Sequence, residues 1–196
     1  MTRQTIPFAE LGRHDVASVG GKNSSLGEMI ANLAALGVQV PGGFATTADA
    51  YREFLAHDGL AERIRAELAT LDVEDVTRLA ATGAKIRGWI LATPFPTRLQ
   101  QAIESDYAAM CEGGVEASVA VRSSATAEDL PGRSFAGQYD SYLGVLDPAT
   151  CMDRVKDCWA SLWSDRAFEY RRRIGIEHLG VRMAVIVQAM GLASGK

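Results

Sequence analysis

Cysteine and histidine are scarce in this 196-residue chain, at three residues each. Cys111, Cys151 and Cys158 are odd in number and irregular in spacing, which argues for reduced thiols rather than a disulfide framework. Cys151 and Cys158 lie a heptad apart on one predicted helix with no histidine-rich partner nearby, so no zinc site is expected. His14, His57 and His178 share no motif and sit at no catalytic spacing from a serine, cysteine or aspartate. No nucleophile triad and no pair of catalytic carboxylates is visible. Basic residues are not in excess either. The formal net charge of −4 argues against a nucleic acid or an anionic membrane as the main partner. No apolar run approaches the ~20 residues that cross a bilayer. The opening MTRQTIPFAELG lacks the apolar core of a secretory signal, which makes the cytoplasm the default expectation.

What is present is ordinary for a globular domain, with 47% apolar and 22% charged residues. The length suits one domain or one large lobe. The chain is organised around residues 119–145, VAVRSSATAEDLPGRSFAGQYDSYLGV. The pattern predicts a short buried strand over Val119–Val121 and a second over Ser141–Val145. Between them the sequence predicts a loop holding Arg122, Ser123, Ser124, Thr126, Gly132, Arg133, Ser134 and Gly137. An arginine delivered by a strand into a hydroxyl- and glycine-rich loop suits a phosphate. The guanidinium bonds in pairs, and small residues let backbone N–H groups approach closely. A long surface hairpin with ordinary turn chemistry is the other reading, and composition leaves both open.

A second candidate is Gly20-Gly21-Lys22-Asn23-Ser24-Ser25. It precedes an amphipathic helix whose apolar face is Leu26, Met29, Ile30, Leu33 and Leu36. Ser25 and Glu28 have capping-box spacing, which predicts a helix start at Ser25, and Gly37 suits its C-terminal cap. Lys22 then precedes a helix N-terminus, where an anion is favoured. This is not a Walker loop, because Val16 stands where the first glycine belongs and Asn23 where a hydroxyl should follow the lysine. For an isolated GGK, a solvated lysine in a glycine turn is the favoured reading.

The middle of the chain reads as packing. Thr46 or Thr47 caps a helix carrying Tyr51, Phe54 and Leu55. A short helix follows over 59–69, and Asp72 opens a longer one that Pro94 stops. Pro96 starts another. Asp147-Pro148 is a cap-and-first-turn signature. Trp159 and Trp163 are read as core. Ser164 begins a helix ending in Arg171-Arg172-Arg173, cations that favour a helix C-terminus without further function. Met183–Val187 predicts a strand buried on both faces. Gln188 closes it, with an amide that must bond either a neighbouring backbone group or the edge of a base such as adenine.

The segments GGKN (20–23), PGGFATTADAYREFL (41–55), EDVTRLAATGAKIRGWILATPF (74–95) and AVRSSATAEDLPGRSFAGQ (120–138), in this order, resemble the N-terminal nucleotide-binding part of the phosphoenolpyruvate synthases. These pyruvate, water dikinases belong to the dikinase branch of the ATP-grasp fold, with pyruvate, phosphate dikinase and the rifampicin phosphotransferases. The resemblance implies a mixed α/β (α+β) fold: an ATP-grasp-like N-terminal lobe over residues 1–196 with a helical insert at about 48–112. It implies that Lys22 and Arg122 contact the ATP phosphates and serve the catalysis. Gly137 would lie in the loop over them, Ser141 would replace a threonine usual in the family, and Gln188 would lie near the adenine. No metal ligand is assigned to these residues. Mg²⁺ would be held by carboxylates of a second lobe. That lobe, a phospho-histidine domain and a pyruvate-binding barrel are expected beyond Lys196, and a homodimer is the expected full-length assembly. The fragment alone is expected to be unable to complete the reaction. Two alternatives stand beside this one: the ATP-binding lobe of a rifampicin-type phosphotransferase, and a non-catalytic domain that binds a nucleotide or a partner.

Overall fold

The computed structural model describes residues 2–34, 36–38, 40–71, 75–111, 115–125 and 140–190. Five strands form one antiparallel sheet: β1 (Thr5–Pro7), β2 (Gly43–Thr46), β3 (Val119–Ala125), β4 (Ser141–Val145) and β5 (Met183–Ala189). Their spatial order is β1-β2-β5-β3-β4. β5 sits at the centre because its Met183–Val187 run is apolar on both faces, and all five residues are buried. It pairs with β3 from Val119↔Ala189 to Ala125↔Met183.

β3 is longer than its sequence suggests. Arg122, Ser123 and Ser124, expected in a loop, continue the strand, paired with Ile186, Val185 and Ala184. Serine has modest strand propensity, but pairing against a central strand and near-complete burial of both serines override it. Thr126, Gly132, Arg133, Ser134 and Gly137 lie outside the described residues.

Seven helices are described: α1 (Val16–Ala34), α2 (Ala48–Ala56), α3 (Leu60–Ala69), α4 (Val76–Ala92), α5 (Thr97–Met110), α6 (Pro148–Ser161) and α7 (Asp165–Ile174). Four of them, α2 to α5, fill the chain between β2 and β3. Most ends obey local rules. Thr47 caps α2 by accepting from the Ala50 N–H, Asp147 caps α6 ahead of Pro148, and Ser164 caps α7. Gly37, at φ 74°, closes α1 with the Val38 N–H on the Leu33 carbonyl and its own N–H on that of Ala34. The cap of α4 is Asp75, which accepts from the Arg78 N–H, and not Asp72, which lies outside the described residues.

The start of α1 differs from expectation. Helix already begins at Val16, is broken at Gly20 (φ 77°, ψ 161°) and resumes. Ser25 lies inside it, and Glu28 closes no box. Its carboxylate accepts instead from the backbone and the guanidinium of Arg13.

The sheet divides two cores. One face presents Phe44, Val119, Val121, Ala125, Met183, Val185 and Val187 to helices α2 to α7 in a single large cluster. At its centre Trp159, fully buried, meets the rings of Tyr51, Phe54 and Phe95 at 5.4, 4.9 and 5.6 Å. The other face presents Ala45, Ala184 and Ile186 to Val19 and Leu26 of α1, with Phe8 and Leu11 from the lead-in. Arg171 also belongs to the core. It is fully buried, with its guanidinium over the rings of Trp163 and Phe168 and its Nε donating to Nδ1 of His178 at 3.3 Å. The run of three arginines reads locally as a helix end; tertiary packing gives its first member an interior role.

Candidate nucleotide-phosphate site

The face covered by α1 carries Arg122, Ser124 and Gln188. Alternation along β3 puts Ala120, Arg122 and Ser124 on this side, and β5 contributes Ala184, Ile186 and Gln188. Beside them α1 leaves an open cleft of about 780 Å³, lined by Arg13, Val16, Lys22, Glu28, Met29, Arg122 and Ile186 among others. Lys22 and Arg122, one hundred positions apart in sequence, therefore border the same space.

Each cation is delivered by a distinct local device. The break at Gly20 ends one helical segment, so Lys22 falls in the first turn of the next. There the helix dipole favours an anion. Arg122 is held from the sheet. Its Nη2 donates to Oε1 of Gln188 at 2.9 Å, while its Nε is buried with no acceptor. A buried N–H without a partner is costly, and the residue that carries it borders the cleft.

Gln188 uses its amide inside the protein. Oε1 accepts from Arg122 and Nε2 donates to the Pro41 carbonyl at 3.3 Å. Of the two partners weighed from sequence, the described structure contains the backbone one. Gln188 does not line the cleft. Ser141 stands opposite Arg122 in the β3–β4 register, exposed, and lines a separate shallow groove with Tyr142 to Asp147, Thr150 and Arg154. Gly137 lies outside the described residues.

One cleft residue, Arg13, went unnoticed in the sequence, and Glu28 was read only as a helix-cap partner. Arg13 lines the opening and pairs with Glu28 through Nε at 3.1 Å. Nothing in the local pattern marks this pair, since the two meet only because the lead-in folds back over α1. Burial pushes the Cys151 thiol up to about 12 and raises that of Cys158 as well, so neither is a thiolate near neutrality. Burial, with the nearby Arg171 cation, lowers His178 to about 4. Among the described residues no group of three or more His, Cys, Asp or Glu side chains could hold a metal ion, and no helix is long and apolar enough to cross a membrane.

A mixed α/β lobe that aims a lysine from a helix start and an arginine from a sheet into one cleft has the makings of a polyphosphate-binding module. The chain belongs to the pyruvate phosphate dikinase AMP/ATP-binding domain family, whose sequence profile matches residues 16–194. It is 51% identical over 190 residues to the phosphoenolpyruvate synthase of Pseudomonas aeruginosa, a match covering 97% of this chain and 24% of that protein. It is 55% identical over 187 residues to that of Neisseria meningitidis, covering 94% and 24%. With the Escherichia coli enzyme of the same name it shares 50% over 183 residues, covering 93% and 23%. The chain thus spans about a quarter of the length of the curated relatives it matches.

Proposed function

We propose that this chain is the ATP-binding portion of a phosphoenolpyruvate synthase. Such an enzyme converts pyruvate to phosphoenolpyruvate with ATP and water, releasing AMP and phosphate through a phospho-histidine. The observation that carries the reading is the cleft shared by Lys22 and Arg122, with the buried Nε of Arg122 lacking an acceptor. Membership of an AMP/ATP-binding family and the common name of the relatives support it.

In this reading Lys22 supplies a compact charge and Arg122 a planar fork to the polyphosphate. Cationic clamps of this kind stabilise charge on a transferring phosphoryl group. Gly137, outside the described residues, belongs to this proposal as a phosphate contact, and the Ser141 hydroxyl serves from the neighbouring strand. Beyond its bonds to Arg122 and Pro41, Gln188 keeps one lone pair on Oε1 and one N–H on Nε2, so in this reading it supports Arg122 and still has a donor and an acceptor for an adenine edge. Magnesium belongs to the same proposal, with its ligands outside the described residues. So do pyruvate as the acceptor bound by other domains, a cytoplasmic and gluconeogenic setting, and a homodimeric full-length form.

The test is a product analysis of the full-length protein with ATP, Mg²⁺ and pyruvate. AMP, phosphate and phosphoenolpyruvate should appear in equal amounts. Phosphoryl transfer to a rifamycin with pyruvate inert would replace the synthase reading by that of an antibiotic phosphotransferase. ATP binding without any transfer would leave a non-catalytic domain.

A further inference from the structure

The break in α1 is fastened to β3 at one atom. The Val19 carbonyl accepts a hydrogen bond from Nδ2 of Asn23 at 2.8 Å and another from Oγ of Ser124 at 3.0 Å. Both side chains are fully buried or nearly so. A carbonyl oxygen has two lone pairs, and here two side chains, one from the helix and one from the sheet, engage it. Gly20 sits directly against the same serine. A Cβ built on it would clash with Ser124 Oγ and lie 2.7 Å from the Ser124 carbonyl oxygen, and its φ of +77° is itself a glycine conformation. The contact therefore requires Gly20, Ser124 and the redirected helix together.

The cost of this arrangement shows where its purpose lies. Oδ1 of Asn23 is buried with no partner, a loss that a leucine or alanine at this position would avoid. The amide is retained for what its other end does. Two residues along from Gly20 is Lys22, and two residues before Ser124, on the same face of β3, is Arg122. The fastening thus ties together the two backbones that carry the cleft's cations.

We propose that Asn23 and Ser124 are positioning residues for phosphate binding: by holding the Val19 carbonyl they fix the helix break at Gly20 and set Lys22 at its distance from Arg122. This rests on the reading of the cleft as an ATP-phosphate site. Neither residue needs to touch the nucleotide, and both act through Lys22. A role in stability alone would lower the melting temperature of the variants without coupling to Lys22.

The experiment is a calorimetric double-mutant cycle on the full-length protein, with MgATP and adenosine as probes and thermal melts as the control for folding. Ser124→Ala and Asn23→Ala should each weaken MgATP binding about five- to twenty-fold and leave adenosine affinity unchanged. In a Lys22→Ala background each should cost less than twofold. If one variant does not fold, the other carries the cycle. Equal losses with and without Lys22, or a lowered melting temperature with unchanged MgATP affinity, would overturn the positioning role while the phosphate site stands. A Lys22→Ala variant that binds MgATP as the parent does would remove the site itself, and the inference with it.

Discussion

The two faces of the sheet are built to different standards. The face under helices α2 to α7 is a continuous apolar cluster in which the rings of Phe54 and Trp159 lie 4.9 Å apart between centroids. The face under α1 buries only a small cluster and mixes it with Asn23, Ser124, Arg122 and Gln188. Buried polar atoms without a hydrogen-bond partner occur on both faces, Trp159 Nε1 on the first and Asn23 Oδ1 and Arg122 Nε on the second, but only Arg122 also lines the cleft. Each costs stability that an apolar residue would not. The contrast suggests a division of labour: one face supplies the free energy of folding, and the other spends part of it on holding cations where a polyphosphate can reach them.

The largest test of that division is to damage each face in turn. Trp159→Ala removes a fully buried indole from contact with three other rings. It should destabilise the fold by about 3–5 kcal/mol in urea unfolding, with MgATP affinity retained by the molecules that stay folded. Arg122→Ala should do the reverse. MgATP affinity should fall about a hundredfold, equivalent to about 2.7 kcal/mol, while the unfolding midpoint shifts little. Arg122→Lys should rescue poorly, because a single ammonium cannot donate to Gln188 and a phosphate as a planar fork does. Loss of affinity in Trp159→Ala as large as in Arg122→Ala would show that the faces are not independent.

The first face was largely legible in the sequence and the second was not. Helix periodicity, the Asp147-Pro148 signature and the Ser164 cap are local codes, and the structure follows them. The course of β3 past Val121 is set by its partner β5, about sixty residues away, so the run Arg122-Ser123-Ser124 looks like a loop until β5 is beside it. The capping-box spacing of Ser25 and Glu28 is a real local signal that tertiary structure overrides, since Glu28 is claimed by Arg13 across the lead-in. Lys22 and Arg122 could be singled out by type and neighbours, but their sharing of one cleft depends on a glycine break that no periodicity encodes. The Gln188–Arg122 bond was hidden for the same reason: it joins diagonal positions on paired strands.

A smaller effect probes a buried cation on the face under α2 to α7. His178 accepts from buried Arg171 and packs edge-on to Phe168 at 4.3 Å between ring centroids. Burial and the adjacent guanidinium hold it neutral, with its pKa lowered to about 4. The unfolded chain takes up a proton below its ordinary pKa of about 6.5, where the folded protein does not. His178 therefore contributes its full share above that pH, and the share is lost as pH falls towards 4, by at most about 3 kcal/mol. His178→Asn, which keeps an acceptor for Arg171, should flatten the decline in stability between pH 6.5 and 4 relative to the parent in urea titrations. Parallel declines would show that His178 titrates normally and that this part of the core is open to water.

The finest test separates two adjacent threonines that the sequence could not tell apart. Thr47 Oγ1 accepts from the Ala50 N–H at 3.0 Å and donates to the Arg3 carbonyl at 2.8 Å, so it caps α2 and pins the lead-in to it. Thr46 Oγ1 instead accepts from the Val185 N–H, at 3.0 Å, inside the sheet. Thr47→Ala should cost about 1 kcal/mol through loss of the cap, while Thr47→Ser should keep most of it, because only the hydroxyl is used. Both variants should bind MgATP as the parent does, since α2 packs on the face away from the cleft. An equal loss for serine and alanine at position 47 would assign the effect to the missing methyl group, and the cap would then contribute little to this face. A change in MgATP affinity on Thr47→Ala would carry the disturbance through β2 to β5, and the two faces would have to be treated as one coupled unit.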